Sequence, residues 1–191
     1  MKFVALFGPP GCGKGTQAAR LKDALSVPHV STGDMFRDHK ARQTELGVKV
    51  QQLLDAGQLV PDSITDAMVR ERLGREDVAT GVLLDGYPRN VSQADELLTI
   101  LSDLGKELSA VVAIDVPGDV VRARLAKRAD EQGRGDDKDP ETVNNRLVVY
   151  EEHTAPCVPH LESKGVTVHH IDGVGSVDEI TSRILGALGI S

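Results

Sequence analysis

Phe3-Val4-Ala5-Leu6-Phe7-Gly8-Pro9-Pro10-Gly11-Cys12-Gly13-Lys14-Gly15-Thr16 follows directly on Met1-Lys2, and its reading decides the fold. The apolar run 3–7 reads as a strand buried on both faces. From Lys14 onward, Ala18, Leu21 and Leu25 recur at helical spacing. A glycine-rich turn between a strand and a helix points several backbone N–H groups at one spot, and the helix dipole adds positive potential there. Lys14 supplies a full charge at the same place. The spacing Gly8-x4-Gly13-Lys14 is that of a P-loop, a cradle for a polyphosphate. In the common form of this loop a Ser or Thr directly after the lysine binds Mg2+. Here Gly15 holds that position and Thr16 follows, which is not the loop of a typical GTPase or motor ATPase.

Composition narrows the classes. A chain of 191 residues, 40% hydrophobic and 27% charged, suits one globular α/β unit with insertions. A net charge of -7 argues against nucleic-acid binding, which needs a basic face. The sequence holds no apolar run long enough to span a membrane and opens without a signal-peptide pattern, so the expectation is a cytoplasmic protein. The only cysteines, Cys12 and Cys157, form neither a Cys-x-x-Cys pair nor a Cys/His cluster, which excludes a structural zinc site of the usual kind and a disulfide scaffold. Cys12, inside the loop, is either a small filler or a thiol made more acidic by the helix N-terminus and Lys14.

Short apolar runs predict strands over 2–7, 28–31, 82–85, 110–116 and 166–171. Helical patterns lie between them, over 14–25, 34–42, 45–56, 62–73, 91–104, 119–129, 140–161 and 176–188, with Asp62, Ser92 and Ser176 read as cap-region residues. Strands alternating with helices predict a parallel sheet with right-handed crossovers and ligands at the carboxyl ends of its strands. The P-loop, Ser31-Thr32-Gly33-Asp34 and Asp85-Gly86-Tyr87-Pro88-Arg89 all fall there. Residues 129–139 are polar with two glycines and read as an exposed, mobile loop, its carboxylates Asp136, Asp137 and Asp139 solvated or capping, with pairing of one of them to Arg134 as the alternative. His169 and His170 read as structural and His153 as exposed.

Several arginines punctuate these loops and helix ends: Arg37, Arg89, Arg124 and Arg128 one helical turn apart, Arg134 and Arg146. Guanidinium forks suit phosphate, so an acidic chain that aims this many at a phosphate loop handles more than one phosphate group. Taken in order, Gly-Pro-Pro-Gly-Cys-Gly-Lys-Gly-Thr-Gln at 8–17, Ser-Thr-Gly-Asp-Met-Phe-Arg at 31–37, Asp-Ala-Gly-Gln-Leu-Val at 55–60, Leu-Leu-Asp-Gly-Tyr-Pro-Arg at 83–89 and Thr-Ala-Pro at 154–156 resemble the adenylate kinase family over essentially the whole chain. The Gly-Lys-Gly-Thr loop, odd for a generic P-loop, is that family's own form.

The resemblance implies an α/β P-loop fold of three layers, with a central five-stranded parallel sheet flanked by helices, a helical monophosphate-binding insertion and a short lid without zinc. The core would comprise 1–30, 61–126 and 138–191, the NMP-binding domain 31–60 and the lid 127–137. Gly11, Cys12, Gly13, Lys14, Gly15 and Thr16 would cradle the ATP phosphates, with Arg124, Arg128 and the backbone of Gly175 also on ATP. Thr32, Arg37, the backbone of Gln58, Leu59 and Val60, then Gly86, Tyr87, Pro88, Arg89 and Gln93 would hold AMP. Arg134 and Arg146 would close over the transferring group, and Lys14, Arg89, Arg124, Arg128, Arg134 and Arg146 form the catalytic set. Asp85 would hold Mg2+ through water. Partners would be ATP, AMP and ADP, with no nucleic acid or membrane, and the family's short-lid bacterial members imply a monomer. A UMP/CMP kinase is the nearest alternative. Thr32 and the Gln93 amide, which suits an adenine edge, favour AMP, whereas Asn90 is seen in the pyrimidine branch. A GTPase-type switch would carry an Asn-Lys-x-Asp guanine motif, absent here, and a binding module that had lost catalysis would not be expected to keep Lys14, Arg89, Arg128 and Arg146.

Overall fold

A computed structural model describes residues 2–56, 58–132 and 137–190. Its centre is β1 (Lys2–Phe7), followed by α1 (Lys14–Leu25), β2 (His29–Ser31), α2 (Thr32–Ala41), α3 (Glu45–Asp55), α4 (Asp62–Leu73), β3 (Gly81–Asp85), α5 (Val91–Asp103) and β4 (Ala110–Asp115). α6 (Gly118–Gln132), α7 (Pro140–Val149), α8 (Cys157–Ser163), β5 (Val168–Asp172) and α9 (Val177–Ala187) complete the chain. The strands form one parallel five-stranded sheet, as the alternation of strands and helices predicts, in the order β2-β3-β1-β4-β5.

The alternation of side chains along β1 builds two cores. Phe3, Ala5 and Phe7 enter a cluster with Val69 and Leu73 of α4, Leu97 and Leu101 of α5, and Cys157 and Leu161 of α8. Val4 and Leu6 point the other way, to Ala18, Leu21 and Leu25 of α1 and Ile180 and Ile184 of α9. Each fully buried Leu or Phe contributes about 1.5–3 kcal/mol, so a central strand buried on both faces anchors both layers. The carboxyl ends of β1 and β3 lie side by side, which brings the P-loop next to Asp85.

Residues 32–55 form a helical hairpin with its own small core of Phe36, Val50 and Val60. Ser31 and Thr44 cap its helices, accepting from the backbone N–H groups of Asp34 and Gly47. Gly47 sits where the two helices touch. A Cβ there would lie 2.2 Å from the His39 carbonyl oxygen, a backbone atom that cannot swing away. Gly47→Ala is therefore expected to destabilise the protein by about 1–3 kcal/mol. Urea unfolding that showed no loss would contradict this packing.

Three expected boundaries are corrected. α6 does not stop at Ala129 but continues to Gln132. The stretch 140–161 is not one helix: α7 ends at Val149, a π-helical segment runs from Tyr150 to Thr154, and α8 begins at Cys157. Pro156 has no N–H for the helical ladder, and the Ala155 N–H instead reaches the Tyr150 carbonyl at 2.8 Å, the wider i→i−5 spacing. Asn90, rather than Ser92, caps α5.

Candidate active site

The P-loop leaves β1 through Gly8 (φ 146°), and a Cβ at Gly8 would fall 2.6 Å from Cys12 Sγ and 2.7 Å from the Ile114 carbonyl oxygen. Only glycine fits that approach. Gly13 then caps α1 with a left-handed backbone and no side-chain cap, and the first turn of α1 carries no acidic residue. Its N–H groups and dipole thus form an uncompensated positive end. Lys14 folds over the loop, its Nζ donating to the Gly8 and Pro9 carbonyls at 2.5 and 3.2 Å and lying 3.6 Å from Cys12 Sγ. Cys12 is 1% exposed and packs in the core beneath the loop, the filler arrangement. Arg124 donates to the Cys12 carbonyl at 3.2 Å and the Gly173 carbonyl at 3.0 Å, tying the loop to the turn after β5. Gly175 lies in that same turn with φ 133°.

Across from the loop, Asp85 ends β3. Burial pushes its carboxyl up, but the adjacent His29 ring and the charges of Lys14 and Arg89 outweigh it and hold the group below its ordinary value. His29 Nε2 stands 3.6 Å from Asp85 Oδ2, an electrostatic contact too long for a hydrogen bond, and finds no hydrogen-bond partner. Sequence patterning gave no sign of this partly buried histidine beside Asp85. The next residue, Gly86 (φ 78°), accepts from Thr32 Oγ1 at 2.7 Å and Arg89 Nε at 2.8 Å through its carbonyl. Thr32, Gly86 and Arg89 therefore form one wall. Gln93 joins it, its Oε1 accepting from the Arg89 backbone N–H at 2.8 Å. Tyr87 turns away: its ring is buried in the core and its hydroxyl donates to Asp66 at 2.7 Å, so only its backbone faces the wall. Burial and Asp66 together push the Tyr87 hydroxyl far above its ordinary value, which fits a fixed structural donor.

The arginines meet at a residue that the sequence reading treated as solvated or capping. Asp137 has a fully buried side chain. It accepts from Arg128 Nε and Nη2 at 2.5 and 2.8 Å and from Arg146 Nη1 at 2.6 Å. Burial alone would raise its carboxyl, but the two guanidinium groups hold it below its ordinary value. Asp139, by contrast, is the N-cap of α7. Arg89 is lowered first by burial and then by the positive charges of Arg146 and Arg37, with Asp85 opposing. Arg37, half-exposed on α2, pairs with Asp34. Arg134 lies outside the described residues. Leu59 and Val60 lead from the helical hairpin into α4, with Val60 in the hairpin core.

Cations from α1, β3–α5, α6 and α7 thus surround a single region floored by backbone N–H groups, an arrangement made for clustered anionic oxygens. Two clefts of about 370 and 570 Å³ lie behind the loop against Pro9 and Val116, lined by neither Lys14 nor these arginines. Charge and backbone geometry mark the site.

A family model described as adenylate kinase matches residues 6–166. A curated protein named adenylate kinase from Kocuria rhizophila is 50% identical over 188 residues, covering 98% of this chain and 99% of its own. One of the same name from Xanthomonas campestris pv. campestris is 50% identical over 186 residues, covering 97% and 98%. A third, from Stenotrophomonas maltophilia, is 50% identical over 185 residues with the same coverage.

Proposed function

The chain belongs to the adenylate kinase family, and on that premise we propose that it is an ATP:AMP phosphotransferase, converting ATP and AMP reversibly into two ADP. The observation that carries this reading is the pairing of an uncapped P-loop with the Thr32–Gly86–Arg89 wall beside it, one seat for each nucleotide. A phosphate oxygen of AMP attacks the terminal phosphorus of ATP, a new P–O bond forms, the bond to the departing ADP oxygen breaks, and no covalent enzyme intermediate arises. The attacking oxygen is already ionised, so no general base is needed. Such a transfer depends on alignment and charge neutralisation.

In this reading the loop N–H groups of residues 11–16 and Lys14 hold the ATP phosphates, and Arg124 and the Gly175 turn flank its adenine. Arg37, Arg89 and Thr32 hold AMP, the backbone of residues 58–60 and 86–88 completes its seat, and Gln93 reads its base. Arg128, Arg134 and Arg146 neutralise charge on the group in flight. Residues 31–60 and 127–137 act as monophosphate-binding unit and lid, and their closure keeps water from intercepting the phosphoryl group. Asp85, held ionised beside Lys14, suits a hard cation. Among the described residues no three His, Cys, Asp or Glu side chains converge on a metal position. Asp85 would hold Mg2+ through water, with the nucleotide's own oxygens on the ion. The ion would neutralise charge on the terminal phosphates of ATP. We further read the protein as a cytoplasmic monomer; no described helix is long and apolar enough to cross a membrane.

The test is steady-state turnover with ATP and Mg2+, comparing AMP, UMP and CMP as acceptors. AMP is expected to give the highest kcat/KM. Faster turnover with UMP or CMP would assign the chain to the pyrimidine enzymes instead.

A further inference from the structure

Gln93 is 2% exposed, and its carboxamide is gripped at both ends. Oε1 accepts from the Arg89 backbone N–H at 2.8 Å, and Nε2 donates to Asp62 Oδ1 at 2.8 Å. A backbone N–H only donates and a carboxylate only accepts, so these neighbours permit one orientation of the amide. Asp62 is itself fixed: Asn90 Nδ2 donates to its Oδ1 and Oδ2 at 2.9 and 3.1 Å. Asn90 in turn is set by capping α5, its Oδ1 accepting from the Gln93 backbone N–H at 2.8 Å. The three side chains close a ring between the start of α4 and the start of α5.

A carboxamide offers two N–H donors and two acceptor sites. The ring uses one of each and leaves one of each, in a fixed order. We propose that Asp62 and Asn90 are positioning residues for base selectivity, which act through Gln93 by forbidding its flipped form. The inference rests on Gln93 facing the acceptor's base. An amino base presents an exocyclic N–H donor beside a ring-nitrogen acceptor. A keto base presents the reverse, a carbonyl acceptor beside a ring N–H. To match a keto edge in the same pose the amide must turn over. That would set Oε1 against the Asp62 carboxylate and the NH2 against the Arg89 N–H, two repulsive contacts where little water can relieve them. Asp62 thus sorts amino bases from keto bases of equal size, and the ring is a barrier against the wrong edge as much as a support for the right one.

AMP and IMP differ at this edge and little elsewhere, which makes them the proper pair. The measurements are kcat/KM for each with saturating ATP, and the Kd of each by calorimetry. Asp62→Asn supplies a side chain that donates as well as accepts and so removes one of the two repulsive contacts of the flipped amide. The preference for AMP over IMP is expected to fall by about tenfold or more, in KM and Kd. Asn90→Ser keeps an N-cap hydroxyl but removes the fork on Asp62, and should shift the ratio the same way by less. It also decides the matter should Asp62→Asn fold poorly. A merely structural role would weaken AMP and IMP by the same factor, and an unchanged ratio in both variants overturns the proposal. Gln93→Leu separates the two levels. If it leaves the ratio intact, Gln93 does not read the base and both readings fall. If it collapses the ratio while Asp62→Asn and Asn90→Ser do not, only the role of the ring falls.

Discussion

Lys14→Met is expected to lower kcat by about 100-fold or more while leaving the fold in place. Methionine keeps most of the length of the side chain and removes only its charge. In the fold that charge does little: Nζ donates to two loop carbonyls, those of Gly8 and Pro9. Losing these charge-assisted bonds costs about 1.5 kcal/mol each, the low end for a charged donor because the setting is only part-buried. In the proposed transfer the same charge would stand where the loop N–H groups, the α1 dipole and Arg89 of the opposite wall converge. Negative charge shifts there as the phosphoryl group passes from ATP to AMP, and a fixed cation is most effective where charge develops. Parallel measurement of turnover and thermal unfolding separates the two effects. Near-normal turnover in a folded Lys14→Met protein would defeat the assignment of the loop as the seat of transfer.

Asp137→Ala is expected to cost about 3 kcal/mol of stability near neutral pH, the low end for breaking a buried ion pair because Arg128 and Arg146 remain 25% and 19% exposed. The variant leaves two guanidinium groups facing each other without the carboxylate that both were built around. The pH dependence gives a second check, and its sign follows from the direction of the shift. The folded carboxyl lies below its ordinary value of 3.8. Its contribution is therefore complete above that value and is lost as pH falls through the lower, folded one. The stability gap between wild type and Asp137→Ala should stay constant from neutral pH down to about 4, then narrow on further acidification. Urea titrations at a series of pH values measure it. A gap of zero at neutral pH, or one that widens in acid, would show that Asp137 is not the anchor of the two arginines.

The parts of this protein that were legible in its sequence are those set by local periodicity. α1 and α4 occupy Lys14–Leu25 and Asp62–Leu73, the bounds that their apolar spacing predicts. The P-loop is a contiguous motif whose chemistry needs no distant partner to be recognised. What stayed hidden depends on contacts between residues far apart in sequence. Asp137 lies nine residues from both Arg128 and Arg146, a spacing that matches neither helix nor strand. Its polar, glycine-flanked surroundings read as solvated loop, yet the carboxylate is buried. His29 gives no pattern at all, since a histidine in a short strand does not announce that a strand-end aspartate will sit beside it. Tyr87 differs in the opposite sense: it belongs to a motif of site residues, but its side chain serves the core and leaves only its backbone to the site. Asn90 was visible as a departure in that motif, while its bond to Asp62, 28 residues earlier, was not.

The placement of β1 has a consequence for how the protein is made. Of the five strands of this sheet, the one synthesised first is the middle one, flanked on one edge by residues 81–85 and on the other by residues 110–113. At 5–20 residues per second, its second partner is made about 5–20 seconds after the strand itself. Through that interval an apolar ribbon with open hydrogen-bonding edges waits for neighbours, the kind of edge that other chains can also satisfy. α1, the next helix to appear, can shelter only the face that carries Val4 and Leu6. The face with Phe3, Ala5 and Phe7 must wait for helices made much later. Of the sheet, the strand made first is thus the one that folding can complete only late, and nascent-chain protection would matter most for the same few residues that end in the P-loop.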